Sequence, residues 1–490
     1  MSVAVTNKWP IATTDISKAF LQGVTYEELH RLTGEPIREV NFYLPSSSVS
    51  ALQKVEGFTD FNPNTEVLHC DKPGTGSVDA PRCFSMKLAL CTERIGMKQS
   101  SVDPELCFLH DKGKLVCLLT KHVDDLKITG PREWVEKVCR HIENTFGKLK
   151  ILWGTFTNCG VRHTQNDSTF EVSLDQIEYA RALRTIQHPE LSRANASTNA
   201  LCGPELHQLY MSLLGAVAYL YLTRVDILVF VAACQRWAHK PSIIHVKRLN
   251  QIVRYVQRVP MRLHYKSMPH DRHLGVVSDA AFKKEEEHGH SIKGTLYVIR
   301  PGKLLTSFHR EGVAHVIEFL CKSIRNVTRS TFSAELHAAC DACDLGVLLQ
   351  LMLHEIECGR ISSEQARMMR EKGGHVVPMF LAIDAMSVFA AVTATYVKAP
   401  AEKSLLSHVQ FVRELLDQGV LRGIEWWDTR DMTADGLTKG SVDRAILMSL
   451  MHGLLKIAHD NKSWSSKLGE LNRAERDKQP LAVKYNNAGA

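Results

Sequence analysis

Residues 115–130, LVCLLTKHVDDLKITG, carry two apolar runs around an adjacent pair of carboxylates, and no other stretch restricts the fold as much. The run 115–123 has the length and composition of a strand, and 126–129 can pair with it, so Asp124 and Asp125 fall at the tip of a hairpin. The pair is the only Asp-Asp dipeptide in the chain. A solvated turn is one outcome, since aspartate is common in turns. A cation site is the other, because close carboxylates raise each other's pKa unless something neutralises them. Asp15, in TTDISKAFLQG (13–23), either caps a helix or, if its segment lies beside the hairpin, shares a pocket with Asp124. Paired Mg2+ ions about 3.5–4 Å apart are the common solution in enzymes that displace phosphoryl groups.

With 490 residues, 44% hydrophobic and 23% charged, the chain reads as globular and long enough for several domains. A net charge of +7 fits a polyanionic partner without requiring one. The 13 cysteines are scattered, mostly within apolar stretches, which argues against a disulfide framework and for a reducing compartment. Cys340 and Cys343 form a lone CxxC, too few ligands for zinc. The opening MSVAVTNKWPIATTD has no apolar core of a signal peptide. Arg224 and Asp226 cut the apolar stretch 209–237 into pieces too short to cross a bilayer. Two buried helices joined at TRVD, in a soluble protein with no membrane partner, are expected.

The first 175 residues mix short strands with turns, and 176–268 read as helices. Beyond 270, HLGVVSDAAF, GTLYVI and HVIEFL read as strands. A helix at 331–355 follows, then the polar stretch CGRISSEQARMMREKGGH, a strand at 376–384 and a helix near 403–417. From Asn461 the chain is polar and poorly patterned, the composition of a mobile tail. Asp279 and Asp384 each end an apolar strand, Glu335 lies early in a helix, and Asp435 sits in MTADGLTKG. Singly these are turn, cap and strand-end acids; together they can project into one cleft that needs a cation. In HVKRLNQIVRYVQRV (245–259), Leu249, Val253, Val256 and Pro260 form an apolar stripe. Lys247, Gln251, Arg254 and Arg258 lie roughly opposite, either as a rail for phosphates or as a solvated face.

TDISKAFLQG and KHVDDLKITG resemble motifs A and C of reverse transcriptases. Between them DKPGTGSVDAPRCFSMKL is similar to the copia-type motif that runs from Lys-Pro through Gly to Ala-Pro-Arg. FGKLKILWGTFTNCGVRH and YMSLLGAVAYLYLTRVDILVFVAACQRWAHKP continue the series. The four later acids resemble the Asp, Glu, Asp and Asp of that family's ribonuclease H domain. The resemblance runs from about residue 10 to 445 and points to the Pol polyprotein of copia-type LTR retrotransposons. It implies an α/β chain: a reverse transcriptase palm lacking most of the fingers (1–175), a helical thumb or connection region (176–268), a ribonuclease H-like domain (269–445), and a C-terminal helix with a polar tail (446–490).

By the same resemblance Asp15, Asp124 and Asp125 would form the polymerase centre. Asp279, Glu335, Asp384 and Asp435 would form the nuclease centre. Each would take two Mg2+ ions, with Mn2+ as an alternative, and Asp125 would stand beside the ligands rather than among them. Phe20 matches the steric gate against a ribose 2′-hydroxyl, and Gly76 and Arg82 fall in the substrate-binding motif. The implied partners are an RNA–DNA hybrid, primer-template and deoxynucleoside triphosphates, and the implied setting is a cytoplasmic virus-like particle or the nucleus. His122 stands where the family has Tyr, Asp79 where it has Gln, and Ser404 follows Lys403 where it has His, with His408 the nearest histidine. Motif A also begins close to Met1, ahead of which relatives carry fingers. The alternative expectation is therefore a catalytically inactive remnant that still binds nucleic acid.

Overall fold

A computed structural model describes residues 1–192, 199–282, 290–302 and 311–478. The strands Lys114–His122 and Asp125–Thr129 form the hairpin, with His122 opposite Asp125. They sit inside a six-stranded antiparallel sheet, flanked by Leu106–Asp111 and Lys98–Gln99 on one side and by Ile11–Asp15 and Leu152–Trp153 on the other. Alternation along the strand decides what each face buries. Cys117 and Leu119 pack with Phe84 and Leu88 of the helix Ala80–Arg94 and with Val135, Val138 and Ile142 of the helix Arg132–Phe146. Leu118 packs instead with Val3, Phe108 and Ile356. Each fully buried aliphatic or Phe side chain of this kind contributes about 1.5–3 kcal/mol. At Gly130, just past the hairpin, a Cβ would lie 2.4 Å from the Val116 carbonyl oxygen, so only glycine fits.

A four-stranded sheet follows, built from Thr155–Asn158, Val161–Gln165, Val172–Asp175 and, after the helical region, Leu263–Tyr265. The helices Pro204–Ala218, Leu228–Gln235 and Ile243–Arg258 share a core that includes Leu206, Tyr210, Val231, Leu249 and Val253. The two charges that interrupt the apolar stretch 209–237 are themselves buried: Arg224 Nη2 lies 2.8 Å from Asp226 Oδ2. Pairing offsets the cost of burying the two polar side chains there.

The third sheet runs His315–Ser323, Ile292–Pro301, Arg272–Ala281, Met379–Ile383, Leu421–Trp427, Asn461–Trp464. Its first three strands are antiparallel, and the next two run parallel to Arg272–Ala281. The inner strands are covered on both faces, which is why they read as near-continuous apolar runs. One face packs against the helices Thr331–Cys358, Met386–Thr393 and Leu406–Asp417. The other meets Leu437, Leu447 and Leu450, and also Ala4 and Val5 of the N-terminal helix Ser2–Asn7. The architecture is mixed α/β: a six-stranded antiparallel sheet and a mixed six-stranded sheet, with helices and a smaller sheet between them in sequence.

The helix Thr331–Cys358 is long and apolar enough to cross a bilayer by length and composition, but most of that stretch is buried as the core helix of the third sheet. It begins at Ser330, whose hydroxyl accepts from the Ser333 N–H at 3.1 Å.

Three sequence expectations are corrected. Residues 461–478 are not a tail: Asn461–Trp464 pairs with Leu421–Trp427, and the helix Lys467–Lys478 docks through Asn472 Nδ2, which donates to the Asp417 carbonyl at 2.8 Å. A four-residue edge strand is too short to display alternation; residues 479–490 lie outside the described residues. The polar stretch after Cys358 contains the helix Ser363–Lys372, opened by a Ser362–Gln365 capping box and burying only Ala366, so it shows no apolar period. Pro260 is exposed and lies beyond the end of the helix Ile243–Arg258, whose buried stripe is completed by Val246 and Ile252 instead.

Candidate metal centre

Sheet topology gathers the later acids. Arg272–Ala281 and Met379–Ile383 run parallel as neighbours, so Asp279, near the end of the first, and Asp384, just past the second, emerge at the same edge. Glu335 descends onto them from the second turn of Thr331–Cys358, where the Ala280 N–H donates to its Oε2 at 3.1 Å. Ligand oxygens of Asp279, Glu335 and Asp384 all lie within 4.8 Å of one another, the one such group of three among the described residues. Asp279 and Glu335 are buried and Asp384 half-buried. Asp384 is fixed twice: Thr429 Oγ1 donates to its Oδ2 at 3.0 Å, and Trp426 Nε1 donates to its carbonyl at 2.7 Å.

Asp435 enters from the short helix Asp435–Thr438, which lies directly on the sheet. Gly294, the register partner of Asp279, permits this approach: a Cβ there would stand 2.6 Å from Leu437 Cβ and 2.8 Å from Thr438 Cγ2. Thr438 Oγ1 donates to Asp279 Oδ2. Lys439 Nζ lies 2.6 Å from Asp435 Oδ1 and 3.3 Å from Asp279 Oδ1. Sequence reasoning missed Lys439, Thr438, Thr429 and Gly294. Lys439 follows the short helix directly, four residues past Asp435, a spacing too ordinary to single it out.

The electrostatics follow from burying four acids beside one ammonium. Burial, then the charges of Asp279 and Asp384, push Glu335 well above the carboxylate range. Burial and Asp279 also raise Asp384 and Asp435. For Lys439 burial acts downward, but Asp279 and the bond to Asp435 outweigh it and the ammonium is stabilised. Hard, anionic oxygen donors converging with an excess of negative charge suit Mg2+ or Mn2+.

The earlier acids are arranged differently. Asp15 ends the strand Ile11–Asp15 rather than capping a helix, and it is the register partner of Asp125. The Asp124 carbonyl accepts from the Ile16 N–H at 3.2 Å, and Val123 takes the left-handed conformation (φ 58°) that the tight tip demands. Partial burial, then the charges of Asp124 and Asp125, raise the Asp15 carboxyl. The three acids share one end of the sheet but do not converge as the later group does. Phe20 is half-buried in the turn Ala19–Leu21, and Gly76 is exposed at φ 93°. Arg82 is engaged by Glu35 through Nη1 at 2.9 Å and Nη2 at 2.7 Å, and Asp79 by Arg38.

Lys247, Gln251, Arg254 and Arg258 are all exposed on Ile243–Arg258, as either a rail or a solvated face requires. His408, on Leu406–Asp417, meets His337 edge-on with ring centroids 4.5 Å apart, two residues along the helix from Glu335.

No family model matches the chain. It is 23% identical over 462 residues to the Retrovirus-related Pol polyprotein from transposon RE1 of Arabidopsis thaliana, covering 90% of this chain and 27% of the relative. The corresponding polyprotein from transposon RE2 gives 23% over 455 residues with the same coverage. The chain thus spans about a quarter of the length of the curated relatives it matches. Among solved structures, a foamy viral protease-reverse transcriptase in complex with dsDNA aligns with a TM-score of 0.39 at 11% identity, over 85% of this chain and 67% of that one. Over nine-tenths of its length, the chain is homologous to the retrovirus-related Pol polyproteins of copia-type transposons, the family its ordered motifs resemble.

Proposed function

We propose that the chain is a reverse transcriptase-related segment whose competent chemistry is of the ribonuclease H kind, metal-dependent cleavage of the RNA strand in an RNA–DNA hybrid. The observation that carries this reading is the convergence of Asp279, Glu335 and Asp384 oxygens within 4.8 Å in a largely buried cleft. These three, with Asp435, would hold two Mg2+ or Mn2+ ions. When bound, such ions supply Lewis acidity and a water of lowered pKa. The chain's own groups keep the ligands aimed: Ala280 N–H holds Glu335, and Thr429 and Trp426 hold Asp384. Lys247, Arg254 and Arg258 would meet phosphates, while duplex shape and 2′-hydroxyls would select the hybrid.

For the palm, a second reading has its own support: a nucleic-acid-binding remnant that does not polymerise. Asp15 is exposed, and Arg82, which would meet a triphosphate, already holds Glu35. The active alternative assigns Asp15, Asp124 and Asp125 to primer-template and deoxynucleoside triphosphates, with Phe20 as gate.

The test is incubation with Mg2+ and a hybrid labelled on its RNA strand, beside Asp384→Asn. Cleavage by the parent and none by the variant is expected. A folded parent that binds the hybrid without cutting it would turn the whole chain into the remnant.

A further inference from the structure

We propose that Lys439 is a tethered cation that fills one ion position of the nuclease cluster and must leave when a divalent ion takes that position. The inference rests on the metal-dependent reading above and goes beyond it by assigning a residue that competes with the metal.

The cluster has two edges that share Asp279. On one, Asp279, Glu335 and Asp384 converge with no basic side chain hydrogen-bonded to Glu335 or Asp384 among the described residues. On the other, the Lys439 ammonium bridges Asp435 Oδ1 and Asp279 Oδ1 at 2.6 and 3.3 Å. An ammonium between two carboxylates occupies the volume and the charge that a bridging cation would use. It is a weaker substitute, with a single charge against four acids. The stem is built to move: the Lys439 side chain is 33% exposed, whereas that of Asp279 is fully buried and that of Asp435 is 10% exposed. Swinging the lysine outward therefore costs little packing, and the acids stay in place. Its backbone does not have to follow, because the short helix before it is seated on Gly294 and tied by Thr438 to Asp279.

Two consequences separate this role from a purely structural ion pair. Without metal, Lys439 offsets repulsion among the acids and stabilises the fold. With metal, it opposes the ion entering between Asp279 and Asp435. Metal binding to the full chain is to be measured by calorimetric titration with Mg2+ and by Mn2+ electron paramagnetic resonance, with thermal unfolding in chelator and in metal alongside. In Lys439→Met, the weaker ion is expected to bind tighter by about tenfold or more, the scale on which a unit charge acts on an ion a few ångströms away in a partly screened pocket. The variant should melt lower than the parent in chelator and recover in metal, while Lys439→Arg keeps the parent's weak second ion.

Ion affinities unchanged in a folded Lys439→Met, or a melting loss equal with and without metal, would overturn the inference and leave the nuclease reading intact. A parent that takes up no divalent ion would overturn both.

Discussion

The carboxylate of Glu355 is fully buried and accepts the Ser100 hydroxyl at 2.7 Å, joining the last turns of the helix Thr331–Cys358 to the edge of the first six-stranded sheet. The Ser101 N–H donates to the same oxygen at 2.9 Å. Replacing Glu355 with Ala leaves the buried Ser100 hydroxyl without its acceptor and also frees the Ser101 N–H, which is expected to cost about 1–3 kcal/mol in urea unfolding. Ser100→Ala should cost less, and the double variant should fall short of the sum of the two. Strict additivity would mean that the two residues are not coupled.

Acidity should stabilise the metal-free protein. Glu335 is raised in the fold from 4.5 to about 9, so it binds a proton more readily folded than unfolded. That contribution is whole below about 4.5 and disappears as pH climbs through about 9. Asp435, raised to about 7, adds in the same sense over a narrower window. Denaturation midpoints in chelator should therefore fall across this range, and Mg2+ should flatten the slope. A flat profile in chelator would contradict the electrostatic account of the cluster.

Salt dependence tests the exposed rail. Replacing Lys247, Arg254 and Arg258 together with Ala should lower hybrid affinity and reduce the slope of log K against log salt by roughly 2–3, about 0.9 for each phosphate no longer neutralised. An unchanged slope would return the helix face to ordinary solvated surface.

Gly294→Ala tests whether the approach of the short helix positions Asp435. The added methyl would meet Leu437 and Thr438 below 3.0 Å, so the helix must lift. A stability loss of about 1–3 kcal/mol is expected, as for overpacking generally. Weaker metal uptake should accompany it, although no ligand has changed. Normal uptake would show that the cluster tolerates the shift.

How much of the fold and the cluster was legible in sequence depended on burial. Asp279 and Asp384 stood out because the strands before them are covered on both faces and read as unbroken apolar runs ending in an acid. The hairpin at Asp124 was legible for a similar reason. Lys439 was not, because a lysine four residues after an aspartate is ordinary on any solvated helix, and only the third dimension brings Asp279 beneath it. Glu355 carried no signal either; its partner Ser100 is 255 positions away. The C-terminal strand failed for want of length, and Ser363–Lys372 for want of an apolar face.

The helix Thr331–Cys358 has one further consequence. Glu335 near its start and Glu355 near its end are separated by about 30 Å of continuous helix at 1.5 Å per residue. It is a strut, not a hinge. The third sheet is consequently not a module to be lifted out at a linker: cutting it free would strip Ile356 from Leu118 and Phe108 and leave Ala4 and Val5 without their cover. The helix that carries Glu335 into the acid cluster is thus anchored at its far end on the edge of the first sheet, so the two halves of this chain are geared to each other.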